Sequence, residues 1–198
     1  MSSSNGLADD YVDDTDDVNY KVGNQKSTKE ILENDQSDES LQKYKAKLGL
    51  SKGSDAKLKI SIQDFIIEFA NNEHPDYIFH LDSPENIAAM KKQQVTMKAG
   101  CKYRFKFKFE VQNDLVLGFR FASAIYKGGV RVAKESHMIG SFAAKKEAYV
   151  CSSPDIQAPK GLFASGKFTA KMSFVDDDKN NHIEFQFCIV LKKKWPKQ

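Results

Sequence analysis

Residues 102–111 alternate without a break, and no other stretch limits the fold so sharply. Tyr103, Phe105, Phe107, Phe109 and Val111 share one face, while Lys102, Arg104, Lys106, Lys108 and Glu110 share the other. A period of two puts successive side chains on opposite sides of an extended chain, so this segment reads as a half-buried strand. Near the C-terminus Phe185, Phe187, Ile189 and Leu191 repeat the pattern against Glu184, Gln186, Cys188 and Val190. Further strands are predicted at 57–69, 77–81, 94–98, 115–126, 130–139, 146–152 and 165–175. Lys127-Gly128-Gly129 supplies a hairpin turn, because glycine accepts positive φ without steric cost. Eight or nine short strands separated by turn signals, with no long amphipathic helix after residue 50 and no internal repeat, predict an all-β antiparallel sandwich.

The first 50 residues are of another kind. They hold eleven acidic and six basic side chains, so the body is basic although the whole chain is only +3. Residues 1–18, rich in Asp and Ser, read as a disordered acidic leader. Residues 19–54 carry helix punctuation without much apolar surface. Ser27 and Glu30 have the spacing of a capping box. A second short helix starts near Asp38, with Leu41, Tyr44, Lys45 and Leu48 on one face and Gly49 ending it. Helices this short are marginal in water, so the arm reads either as a solvated linker or as a segment that orders on a partner. The sandwich is predicted to occupy residues 55–198.

Several functions have no support in the residues. His74, His80, His137 and His182 are scattered, with no metal-binding or catalytic spacing, and no glycine loop precedes a helix. The chain is therefore expected not to be an enzyme and to need no metal or cofactor. Lysines that alternate with buried aromatics are a solvated sheet face rather than a nucleic-acid site. Cys101, Cys151 and Cys188 are far apart and odd in number, which reads as reduced thiols in the cytoplasm. The N-terminus lacks a signal-peptide pattern, no apolar run approaches the roughly 20 residues that span a bilayer, and neither end carries a lipidation motif.

A set of short strings in fixed order adds to this reading. They are Asn19-Tyr20-Lys21, Gln25-Lys26-Ser27, Asp38-Glu39-Ser40-Leu41 and Lys43-Tyr44-Lys45, then Ala158-Pro159-Lys160-Gly161, Asp176-Asp177-Asp178-Lys179 and Lys192-Lys193-Lys194-Trp195. In this order and spacing the chain resembles the Rho GDP-dissociation inhibitors over roughly residues 19–195. The resemblance implies an immunoglobulin-like sandwich that accepts the geranylgeranyl tail of a prenylated Rho- or Rac-type GTPase, its GDP form favoured, in a 1:1 complex. It implies a lipid pocket walled by Ile67, Val95, Tyr103, Phe163, Ala170, Phe185 and Phe187. It also implies GTPase contacts from Asp38 and Ser40 to switch I, and from Tyr44 and Asp178 to the switch II region. Clamping both switches would slow GDP release, and sequestering the lipid would extract the GTPase into the cytosol with only transient membrane contact.

From the residues alone, the interior reads as a filled core and Asp178 as a solvated turn. Three departures from the family pattern are visible. Phe185 and Phe187 stand where tryptophans are common, Ala170 is smaller than the usual aliphatic, and Asp155-Ile156-Gln157 replaces a pair of acids. Ser27 is a candidate phosphorylation site, because added negative charge would disturb docking of the arm. A general prenyl-lipid solubiliser, similar to the phosphodiesterase delta-subunit family, is the alternative that needs no arm. A scaffold with a filled core is the other.

Overall fold

The structure, a computed structural model, describes residues 39–40, 59–161 and 164–196. Asp38, Tyr44, Ser27 and Phe163 lie outside the described residues. Ten strands follow in order: β1 (Lys59–Phe69), β2 (Tyr77–His80), β3 (Gln94–Lys98), β4 (Lys102–Gln112), β5 (Val116–Lys127), β6 (Val130–Phe142), β7 (Tyr149–Ser152), β8 (Ile156–Gln157), β9 (Gly166–Val175) and β10 (Asn181–Lys192). They form two sheets, β2-β1-β4-β7 with β8 also on β4, and β3-β10-β9-β5-β6. This is the expected all-β sandwich, with alternating residues from each sheet meeting in the middle.

One pairing departs from the purely antiparallel expectation: β3 runs parallel to β10. The chain changes sheets between β2 and β3, and such a crossover permits parallel pairing where a tight hairpin does not. The crossing segment is a short helix, Pro84–Ala89, whose N-cap Ser83 accepts the Asn86 N–H at 3.2 Å. Proline at its first position costs nothing there, since that amide has no helical partner. Buried Met90 ties the crossing to the core. The two-residue β8 was also absent from the sequence expectation, being too short to show a period.

Strand β1 shows how local irregularity serves the core. Its register slips between Ile62 and Asp64, so Ile62 faces inward and then Phe65, Ile67 and Phe69 do. A bulge switches the inward parity from even to odd residues. Phe65, fully buried at 0 % exposure, then meets rings from both sheets. Its centroid lies 5.3 Å from Phe105 and 5.8 Å from Phe107 in its own sheet, and 5.1 Å from Phe185 and 5.6 Å from Phe187 opposite. A second group joins Phe107 to Phe121 at 4.8 Å and to Phe174 at 4.9 Å, edge to face in the latter case. Burying each such ring contributes about 1.5–3 kcal/mol, with a further increment from ring geometry.

The C-terminal end of the described chain folds back on the start of the body. Trp195 packs edge-on against Phe69 at 5.0 Å and stacks on His74 at 4.6 Å. Its indole N–H donates to Glu73 at 3.4 Å, and Lys98 donates to the same carboxylate at 2.7 Å.

Phe65→Ala should destabilise the fold by about 3–5 kcal/mol, read from chemical denaturation, because both sheets lose a shared ring. Ala170→Trp should also destabilise it, by about 1–3 kcal/mol or more, since Ala170 is fully buried opposite Phe187 and Ile125. A normal melting temperature for Ala170→Trp would show that the space beside it is open.

Candidate functional site

Aromatic packing does not extend to the whole interior. At the end of the sandwich formed by the start of β4 and β9, small side chains stand where rings stand elsewhere. Ser123, Ala133, Ala158 and Ala164 leave a cavity of about 440 Å³, within the range of ligand-binding sites. Its depth is apolar: Met97 from β3, Tyr103 and Phe105 from β4, Ile125 from β5, Phe168 from β9, and Ile189 and Leu191 from β10. Its rim is mixed, with Lys127, Val132 and Glu135 on one side and Gln157, Pro159 and Lys160 on the other.

The rim is fixed by backbone bonds. The Ala158 N–H donates to the Cys101 carbonyl at 2.9 Å, and the Gly100 N–H donates to the Pro159 carbonyl at 3.0 Å. These hold the segment after β8 against the start of β4, so the Ala158-Pro159-Lys160 string forms one lip. On the opposite lip, Lys127 lies over the Phe168 ring at 5.0 Å and reaches the Ser165 carbonyl at 3.4 Å. Burial, with the Glu135 charge nearby, pushes the Tyr103 phenol far above its ordinary pKa, so it stays neutral. Among the described residues, the charged groups that line the cavity are Lys127, Glu135 and Lys160 at its rim, and the side chains in its depth are uncharged and suit an apolar guest.

Of the residues expected on a lipid-pocket wall, Tyr103 lines this cavity. Ile67, Val95, Ala170, Phe185 and Phe187 are buried in the packed core and are not lining residues. Phe185 and Phe187 close around Phe65 instead, and Ala170 is covered by its neighbours on β5 and β10. The lining residues contributed by β5, β6 and β8 were missed by sequence reading. Ser123 and Ala133 carry no signal of their own, because a small residue announces a void only when its neighbours in space are known.

The acidic turn between β9 and β10 is the other notable feature. Sequence gives three equivalent aspartates; the structure makes them unlike. Asp176 is buried, and its carboxylate accepts hydrogen bonds from two residues. The Asn180 backbone N–H donates at 2.9 Å, the Asn180 side-chain amide at 3.0 Å, and the His182 Nε2 at 2.7 Å. Burial pushes its pKa up, but the His182 and Asn180 hydrogen bonds outweigh that and hold the group below the ordinary carboxylate value.

Asp177 pairs with Arg120 at 2.9 Å. It comes so close to Gly118 that a Cβ there would lie 1.9 Å from its carboxyl carbon, and Gly118 itself has φ +57°. Both facts demand glycine. Asp178 is exposed at the tip. Ser40 is helical and exposed. Asp176, His182, Gly118 and Arg120 were not singled out from sequence; only the run of acids was visible.

Asp176→Asn should cost about 1.5–3 kcal/mol at neutral pH, because it weakens charge-assisted bonds in a buried site. A depressed carboxylate pKa stabilises the fold above its unfolded value, near 3.8, and that stability disappears as pH falls through the folded value. The gap between wild type and Asp176→Asn in thermal melts should therefore be full at pH 7 and close in acid below about pH 4. A gap that does not vary with pH would remove the carboxylate as its source.

The family model for RHO protein GDP dissociation inhibitor matches residues 6–194. Rho GDP-dissociation inhibitor 1 of Homo sapiens is 34% identical over 192 residues, which is 96% of this chain and 93% of that protein. A putative rho GDP-dissociation inhibitor 1 of Dictyostelium discoideum is 31% identical over 195 residues, covering 96% and 98%. Rho GDP-dissociation inhibitor 1 of Arabidopsis thaliana is 33% identical over 183 residues, covering 89% and 73%. A similarity that runs through both the N-terminal region and the strands walling the cavity places this chain in the Rho GDP-dissociation inhibitor family.

Proposed function

We propose that this protein binds a prenylated Rho-type GTPase, slows its release of GDP and carries its geranylgeranyl tail in the cavity between the sheets. The apolar cavity is the observation that supports this most directly. A 20-carbon prenyl chain at about 0.8 kcal/mol per buried CH₂ has upwards of ~10 kcal/mol of membrane affinity, so a carrier must offer comparable dry surface. The tail enters past Lys127 and Lys160 and lies against Phe105, Phe168 and Leu191. The packed layer of Ile67, Val95, Ala170, Phe185 and Phe187 stands behind it.

The GTPase body is held by other residues. Asp38 and Ser40 bond switch I, Tyr44 packs beside switch II, and Asp178 faces a basic group near switch II. The turn that carries Asp178 lies at the far end of β9 from the cavity. Asp176 follows Phe168 by eight positions, roughly 25 Å at strand rise. A globular domain docked on the turn with a flexible tail reaching the cavity bridges that distance. The complex is 1:1, favours the GDP form and belongs in the cytosol.

Uptake of a fluorescent prenylated peptide, together with GDP release from a prenylated Rho-type GTPase, tests this reading. Ala133→Trp, at the exposed rim of the cavity, should abolish peptide uptake while leaving the melting temperature near that of wild type. Asp38→Ala should weaken GTPase binding by about 1.5–3 kcal/mol without altering peptide uptake. Failure of the wild-type protein to take up the peptide would exclude the lipid site. Equal affinity for the peptide and for the prenylated GTPase would favour a general prenyl-lipid solubiliser.

A further inference from the structure

The tip of the β5–β6 hairpin combines three features that the prenyl cavity alone does not require. Gly128 and Gly129 have φ +58° and +85°, and no atom lies within 4 Å of where either Cβ would be. The turn thus projects into open space. Beside it Val130 and Val132 are 67% and 54% exposed, and a β-branched apolar pair at a hairpin tip gains nothing from water. The flanks are basic. Lys127, Arg131 and Lys134 belong to the hairpin and exposed Lys167 lies on neighbouring β9, so the tip remains net basic although Glu135 follows Lys134 at the rim. Finally, Lys127 and Val132 are themselves part of the cavity rim.

We propose that this hairpin tip is a membrane-contact surface, which docks on an anionic lipid bilayer and brings the cavity mouth to the acyl region. Exposed valines among cations match the chemistry of a bilayer interface, where apolar groups enter the headgroup boundary and lysine or arginine meets anionic lipid. An acidic protein surface would match the charges but would leave Val130, which does not line the cavity, without an apolar partner. Continuity with the rim decides for the bilayer, because a tail leaving the membrane beside Val132 passes into the cavity without crossing water. The inference deepens the proposed extraction role and rests on that reading for its purpose. The contact itself needs no GTPase.

The test uses the full chain and vesicles of phosphatidylcholine, alone or with phosphatidylserine, in co-sedimentation at low and high salt. Wild type should bind the phosphatidylserine vesicles preferentially and release them as salt rises. Arg131→Gln should lower the partition by about fivefold, and adding Val130→Ser should lower it further. Neither residue lines the cavity, so uptake of soluble prenylated peptide and the melting temperature should be unchanged in the double variant. Vesicle binding by the double variant equal to wild type, or no preference of wild type for phosphatidylserine, would overturn the proposal. So would a loss of affinity for unprenylated GTPase in the double variant, which would make the tip a protein-docking surface. Failure of wild type to take up the peptide would strike the lipid-cavity reading instead, and vesicle binding would be measured independently of it.

Discussion

The contact between phenylalanine rings across the two sheets is the interaction on which the other features depend. Phe65 meets three rings of its own sheet, Phe79, Phe105 and Phe107, and two of the opposite one, and Phe107, Phe121 and Phe174 extend the packing away from the cavity. These rings set the separation of the sheets for their whole length, because a twisted sheet cannot collapse locally without breaking its ladders. Where the rings give way to Ser123, Ala133, Ala158 and Ala164, the sheets cannot close and a void remains. The cavity is thus the result of a stiff core combined with a few small side chains at one end. Phe105, Phe168 and Leu191 belong both to the core and to the cavity wall, so stability and ligand space share residues at this end.

The sandwich was legible in the sequence because its evidence is periodic. Residues 102–111 and 185–191 each reveal an inward face, and the Gly128-Gly129 turn announces a hairpin. The parallel pairing of β3 with β10 was not legible, since which strands become neighbours depends on a crossover that leaves no period. The bulge in β1 shifts the inward parity within one strand, which simple alternation does not foresee. The candidate site was harder to read. Motif resemblance pointed to an apolar pocket and to Tyr103, but a cavity wall is defined by what is missing. Ala170 is small yet surrounded, whereas Ala133 is small and borders open space. Nothing in the one-dimensional string separates the two.

The acidic turn illustrates division of labour among identical residues. Asp176 faces inward to Asn180 and His182, Asp177 is braced by Arg120 above Gly118, and Asp178 reaches solvent. The first two reduce the number of conformations open to the third. A carboxylate held in place loses less entropy when it meets a cation than one on a loose loop does. The turn is therefore rigid at its base and exposed at its tip, a combination that favours recognition over general solvation.

Trp195 is the single tryptophan in the chain, and it lies where the C-terminal end folds onto Phe69 and His74, at the margin of the core and away from the rings around Phe65. Emission excited in the indole band is consequently a local signal. It reports whether this one strap is seated, and phenylalanine is dark in the same window. Release of the strap from an otherwise intact sandwich would register optically as though the molecule had come apart. Loosening of the interior around Phe65 could pass unseen. A spectroscopist following this protein by its intrinsic fluorescence would be watching the latch and not the vault.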